Sequence, residues 1–366
     1  MQTDAVLRLI RPGLDAFKGY AAIEPVDVLE KRLGGKVTKL DGNENPYGCS
    51  PKVHGALRGF PYYHIYPDPA HRQLREGLSV YTGFAADHIV CGNGSDELID
   101  LVLRLFLEPG DEVINCPPTF GMYPFCTELC GGKLRDVWRR EDYSVDIPGI
   151  RRALTERTKV IIVASPNNPT GTTVMREEVA ELLETGSVVV VDEAYCEFSG
   201  TTVADMVMEH PNLVVLRTFS KWAGLAGLRV GYGIVPVELA NLLMKIKPPY
   251  NVNVAAQVAV LASLEDLEDL QARIGMLVEE REKLFSELKA VDWLVPYPSR
   301  ANFVLCRVKP PSGGGYGRTA REVWQTLQAR GVFVRYYESP GLENCLRVSA
   351  GRPEDTETLL HALREL

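Results

Sequence analysis

Long apolar runs are missing from this 366-residue chain. None reaches the roughly 18–20 residues that cross a bilayer as a helix, so no transmembrane helix is expected. The start, MQTDAVLRLIRPGLDAF, sets Asp4 and two arginines into its apolar stretch. It lacks the uninterrupted core of a secretory signal, and a cytoplasmic location is expected. Excess positive charge is missing too. Lys and Arg number 40 against 48 Asp and Glu, a net charge of −8, which argues against a general nucleic-acid binder. The eight cysteines form no C-x-x-C pair and the six histidines no His-Glu-x-x-His. No metal site is expected, and the thiols are read as reduced and buried. A P-loop is also absent, because the Gly-rich stretch Pro310–Gly317 has no Gly-Lys-[Ser/Thr] ending; it is read as a surface loop.

What remains is ordinary globular material, 45% apolar and 24% charged, long enough for two domains. A helix is expected over Val26–Leu33, stopped by Gly34-Gly35, with a short strand at Val37–Leu40. From about residue 88, short β-branched runs alternate with helical stretches. The runs are His88–Cys91, Glu112–Asn115, Val160–Ala164, Val188–Val191 and Leu213–Leu216. They are apolar without alternation, as in strands covered on both faces. With helices such as Ser95–Leu107 and Arg176–Leu183 between them, they predict an α/β unit with a mostly parallel sheet. One long helix is expected from about Ala255 to Ala290. Strands at Asn302–Val308, Val332–Tyr336 and Cys345–Val348, with helices at Ala320–Ala329 and Glu354–Arg364, suggest a smaller α+β unit.

Each expected strand ends in polar residues, and ligands collect at the carboxyl ends of strands in an open parallel sheet. Gly92-Asn93-Gly94-Ser95-Asp96-Glu97 opens a helix and offers N–H groups to an anion. Pro117-Pro118-Thr119-Phe120-Gly121-Met122-Tyr123 brings an aromatic that can stack on a flat ring. Ser165-Pro166-Asn167-Asn168-Pro169-Thr170-Gly171 brings two carboxamides. Asp192-Glu193-Ala194-Tyr195 puts a carboxylate at the end of a buried strand, where it needs a cationic or strong donor partner. Thr218-Phe219-Ser220-Lys221, with Arg229 eight residues on, brings two hydroxyls and a lysine placed to form a Schiff base. An anion cradle, a stacking ring, an acid for a ring nitrogen and an amine nucleophile are together what a pyridoxal phosphate site needs.

At these residues the chain resembles the fold-type I pyridoxal-phosphate aminotransferases, and within them the histidinol-phosphate aminotransferases. The matching segments run from about residue 20 to the C-terminus. They are Asn43-Glu44-Asn45-Pro46-Tyr47-Gly48, Tyr66-Pro67-Asp68-Pro69, Gly92–Glu97, Ser165–Gly171, Val191–Tyr195, Ser220-Lys221 with Gly227–Tyr232, and Leu346–Gly351. The resemblance implies a large domain over 41–250 with a mostly parallel sheet flanked by helices. It implies a small α+β domain over 251–366, joined by an N-terminal arm, 1–40, that contributes part of it. It implies that Lys221 carries the cofactor, that Asp192 pairs with the pyridine nitrogen, and that Asn168 and Tyr195 bond the ring oxygen. Phe120, where the family usually has tyrosine, would stack. Ser95, Asp96, Thr218, Ser220 and Arg229 would hold the phosphate, helped by Tyr66 from a second subunit of a homodimer with shared sites. Arg347 would grip the substrate anion, with Arg335 and Tyr20 assisting on a phosphate.

The implied reaction is reversible transamination between L-histidinol phosphate and 2-oxoglutarate, giving imidazole-acetol phosphate and glutamate in histidine biosynthesis. Two rivals share the cofactor: an aromatic amino-acid aminotransferase and, with less support, a decarboxylase of a phosphorylated amino acid. A regulator with an aminotransferase-like module would need an attached DNA-binding domain, which the forty residues before Asp41 do not supply.

Overall fold

The computed structural model describes residues 6–11, 14, 17, 19–20, 22–309 and 319–366; the loop expected at Pro310–Gly317 and the first five residues lie outside these. Two sheets organise the chain. The larger has seven strands: β2 (Ile89–Gly92), β3 (Glu112–Asn115), β4 (Lys133–Asp136), β5 (Thr158–Ala164), β6 (Val188–Asp192), β7 (Leu213–Thr218) and β8 (Gly231–Ile234). Their spatial order is β2-β8-β7-β6-β5-β3-β4. All pairings are parallel except those of β8, which runs antiparallel to both β2 and β7. The apolar runs became strands because helices cover them on both faces: Val113, Val160, Val190 and Val214 pack in one core, and Ile114, Ile161, Val189 and Val215 in another. Three of the β-runs extend beyond the apolar residues to end in the polar ones, at Gly92, Asp192 and Thr218.

The smaller sheet joins β1 (Thr38–Leu40), β9 (Leu294–Pro296), β10 (Phe303–Val308), β11 (Val332–Tyr336) and β12 (Cys345–Ser349), in the order β1-β11-β12-β10-β9. The helix Val26–Leu33 stops at Gly34, whose φ of 71° suits a left-handed C-cap. Chain reversal there lets β1 reach the small sheet.

One expectation fails. The long helix is two, Val254–Leu264 and Leu267–Lys289. Between them Asp266 accepts from Ser50 Oγ and pairs with Lys52 at 3.3 Å, so tertiary contacts break a continuous apolar spacing. Val252, Ala256, Val260, Leu270 and Leu277 pack in the same core as Ile114, Ile161, Val189 and Val215 of the large sheet.

Candidate active site

The strand ends converge as expected. A cavity of about 850 Å3 opens where the carboxyl ends of β3, β5, β6 and β7 meet the small sheet. Its walls include Tyr20, Ser95, Asp96, Phe120, Asn168, Asp192, Tyr195, Thr218, Ser220, Lys221, Arg229, Arg335 and Arg347. Tyr66 does not line it. That side chain is 78% exposed and stacks on Tyr250, with ring centroids 4.5 Å apart.

Lys221 follows β7 and donates from Nζ to the Gly42 carbonyl at 3.2 Å. Desolvation, reinforced by the nearby charge of Arg347, brings its pKa down to about 8. Its loop is held against the turn 42–48. Asn45 Nδ2 donates to the Trp222 carbonyl at 2.8 Å. Gly224 has a φ of 67°, and a Cβ there would lie 2.4 Å from the Gly48 carbonyl, so only glycine permits this approach.

Asp192 closes β6 with 4% of its surface exposed. Burial raises its pKa to about 6, against two hydrogen bonds that favour the carboxylate. Tyr123 Oη donates to Oδ2 at 2.7 Å and the Ala194 N–H to Oδ1 at 3.0 Å. Tyr123 also meets Phe120 edge-on at 5.7 Å, so one buried residue braces both the acid and the wall aromatic. Tyr20 also stands edge-on to Phe120, at 5.9 Å.

Asn168 and Tyr195 are both left as donors. Asn168 Oδ1 accepts from Arg347 Nη1 at 2.5 Å, which leaves its amide NH2 available. Tyr195 Oη accepts from Asn43 Nδ2 at 2.9 Å, which leaves its proton to give. Asn43 is itself tied to the small sheet through Ser349 Oγ and Asn302 Nδ2.

The anion end is built on the helix Ser95–Phe106. Its first N–H groups have no partner within the helix, and the helix dipole favours negative charge there. Thr218 Oγ1 and Ser220 Oγ lie 3.0 Å apart beside it. Arg229 places Nη2 2.8 Å from Asp96 Oδ2 and Nη1 3.4 Å from Ser220 Oγ. A Cβ on Gly94 would fall 2.5 Å from Arg229 Nη2, and one on Gly231 2.5 Å from the Ser95 nitrogen.

Arg335 and Arg347 sit directly opposite each other on the antiparallel strands β11 and β12. Like charges in that register repel. Arg347 is 6% exposed, and its Nη2 donates to the Asp41 carbonyl at 2.6 Å. Among the described residues its Nε is buried without a partner. A buried guanidinium with an unused donor, facing a second arginine, has the chemistry to receive an anion.

The family model for aminotransferase class I and II matches residues 35–363. The chain belongs to that family. It is 49% identical to a histidinol-phosphate aminotransferase of Dehalococcoides mccartyi, over 98% of each chain. It is 44% identical to the chloroplastic histidinol-phosphate aminotransferase 1 of Arabidopsis thaliana, over 97% of this chain and 85% of that one. Its fold matches the crystal structure of histidinol-phosphate aminotransferase from Sinorhizobium meliloti in complex with pyridoxal-5'-phosphate. The TM-score there is 0.87 at 26% identity, over 97% and 96% of the two chains.

Enzymes of this family use pyridoxal phosphate, and the residues present fit it: unpaired helix N–H groups and hydroxyls for its phosphate, a buried carboxylate for its pyridine nitrogen and an amine for its aldehyde. Sequence reasoning missed the roles of Tyr123, Asn43, Asn45 and Asn167. Asn167 is fully buried, donates to the Pro118 carbonyl and accepts from Thr119 Oγ1, tying the Phe120 loop to that of Asn168. The only sequence signal for these was carboxamides and a tyrosine within turn-rich motifs.

Proposed function

We propose that this protein is a pyridoxal-phosphate-dependent aminotransferase exchanging L-histidinol phosphate and 2-oxoglutarate with imidazole-acetol phosphate and glutamate, in histidine biosynthesis. The observation that carries the substrate choice is the pair Arg335 and Arg347 in register across β11 and β12, beside Lys221. Two cations suit a phosphate dianion better than either alone, and the fork of Arg347 suits the carboxylates of the second substrate pair. The identity to histidinol-phosphate aminotransferases over nearly the whole chain supports the same choice.

Pyridoxal phosphate, when bound, supplies a ring that accepts the electrons left on the substrate carbon when its proton departs. The chain's own residues bind, orient and move that proton. The N–H groups of Ser95 and Asp96, the hydroxyls of Thr218 and Ser220 and Arg229 would hold its phosphate. Asp192, whose carboxylate Tyr123 and the Ala194 N–H favour, would pair with its pyridine nitrogen. Asn168 and Tyr195 would donate to its ring oxygen, and Phe120 would pack on the ring. Lys221 would be its point of attachment, and its amine is the group placed to carry a proton to and from the substrate carbon. Its lowered pKa leaves about a tenth of it as free amine at neutral pH, against under a thousandth for an ordinary lysine. Tyr20 closes one wall near Arg335.

We also propose a cytoplasmic homodimer with shared sites. The exposed stack of Tyr66 on Tyr250, outside its own chain's cavity, supports Tyr66 as a residue given to a second copy. The purified enzyme should turn over histidinol phosphate with 2-oxoglutarate at a higher kcat/KM than phenylalanine. The reverse preference rejects the substrate choice in favour of an aromatic amino-acid aminotransferase.

A further inference from the structure

Lys247 follows the helix Val237–Ile246 and is 6% exposed. A buried ammonium is costly unless its donors are met. Its Nζ shares its protons among four acceptors: the carbonyls of Pro69 at 2.9 Å, Pro248 at 3.3 Å and Pro249 at 3.3 Å, and Asn251 Oδ1 at 3.1 Å. These acceptors belong to two segments far apart in sequence. One carries Tyr66 and the other Tyr250, the stacked pair with ring planes 19° apart.

The same knot reaches the anion cradle. Asn251 turns its Oδ1 to Lys247 and donates from Nδ2 to Glu97 Oε2 at 2.6 Å. That carboxylate oxygen also accepts the Asn93 N–H at 2.6 Å. Asn93 and Glu97 flank Ser95 and Asp96, so the turn that offers N–H groups to a phosphate is anchored through Asn251 to Lys247. Lys247, Asn251 and Tyr250 themselves do not line the chain's own cavity.

We propose that Lys247 is a positioning residue that couples the two sites of the dimer, bracing its own chain's anion cradle through Asn251 and Glu97 while fixing the Tyr66–Tyr250 pair for the partner's site. The inference rests on the shared-site dimer proposed above. It makes one lesion felt in two places, one of them across the subunit interface.

Heterodimers test it. One chain is wild type; the other carries Lys221→Ala, so that only the wild-type chain can have pyridoxal phosphate fixed to Lys221 by borohydride. The cofactor concentration that half-saturates this fixation then reports the wild-type chain's site alone. Adding Lys247→Met to the Lys221→Ala chain should weaken that site about 3- to 10-fold, the loss of a positioning hydrogen bond. A merely structural weakening of the mutated chain would leave the intact chain's site as it was. Adding Tyr66→Phe instead tests the shared site itself. If Tyr66→Phe crosses the interface and Lys247→Met does not, the coupling is wrong and the shared site stands. If Tyr66→Phe does not cross either, both fall. Should the Lys247→Met chain fail to fold, Asn251→Ala replaces it, with the same crossing expected and the same absence overturning the proposal.

Discussion

Tyr123→Phe removes one hydroxyl and leaves the ring that braces Phe120. Asp192 then keeps the Ala194 N–H and loses the 2.7 Å bond to Oδ2. A hydrogen bond to a buried charged group contributes about 1.5–3 kcal/mol, or about 1–2 pKa units on the carboxylate. The sign follows from which form the phenol favours. It donates to the ionised carboxylate, so its removal raises the Asp192 pKa, from about 6 to roughly 7–8. The cofactor's pyridinium needs the ionised form. At pH 7 the ionised fraction falls from about nine-tenths to between one-half and one-tenth, so cofactor binding should weaken about 2- to 10-fold. Near pH 9 both proteins are mostly ionised at this residue, and the ratio of dissociation constants should approach one. Titrating the apoproteins with pyridoxal phosphate from about pH 6 to pH 9 reads the ratio directly, and Lys221, common to both, cancels. A loss equal at every pH would mean that Tyr123 merely packs. No loss at all would remove Asp192 as the ring's partner.

Other outcomes follow from the same geometry. Arg335→Ala should lower kcat/KM for histidinol phosphate by about 10- to 100-fold, as for a lost charge-assisted contact, while phenylalanine is little affected; steady-state kinetics on both substrates check the selectivity. Covalent uptake of pyridoxal phosphate by the apoprotein needs the neutral Lys221 amine. Its rate should rise about tenfold per pH unit and level off above about 8, the value to which burial and Arg347 lower it. Arg347→Met should move that plateau to higher pH, in stopped-flow absorbance. Gly94, at φ 78° and ψ 167°, occupies backbone space open to little but glycine. Gly94→Ala should cost about 1–3 kcal/mol in thermal melts and weaken cofactor binding by displacing Arg229.

Much of this was legible in the residues. Val188–Val191 and Val160–Ala164 can only be strands buried on both faces, and the polar residues that follow them had to share an edge. β4 escaped because Lys133-Leu134-Arg135-Asp136 is an exposed edge strand with one apolar residue. β8 escaped because Gly231-Tyr232-Gly233-Ile234 has two glycines, whose small size serves close packing against β7 and the Ser95 turn. The break at Asp266 has no local cause; it is made by Ser50 and Lys52, more than two hundred residues away. The site showed the same divide. Lys221, Asp192 and Arg229 announce themselves by charge where charge is expensive. Tyr123, Asn43 and Asn167 act through partners that only the fold brings near, so their residue types within turn-rich motifs marked them without showing their roles.

The central claim is that Lys221 carries the cofactor. Purified protein loaded with pyridoxal phosphate, reduced with borohydride and digested should yield one labelled peptide, containing Lys221, and Lys221→Ala should yield none while melting cooperatively like the parent. Label on any other lysine, or undiminished transamination in Lys221→Ala, would contradict the account.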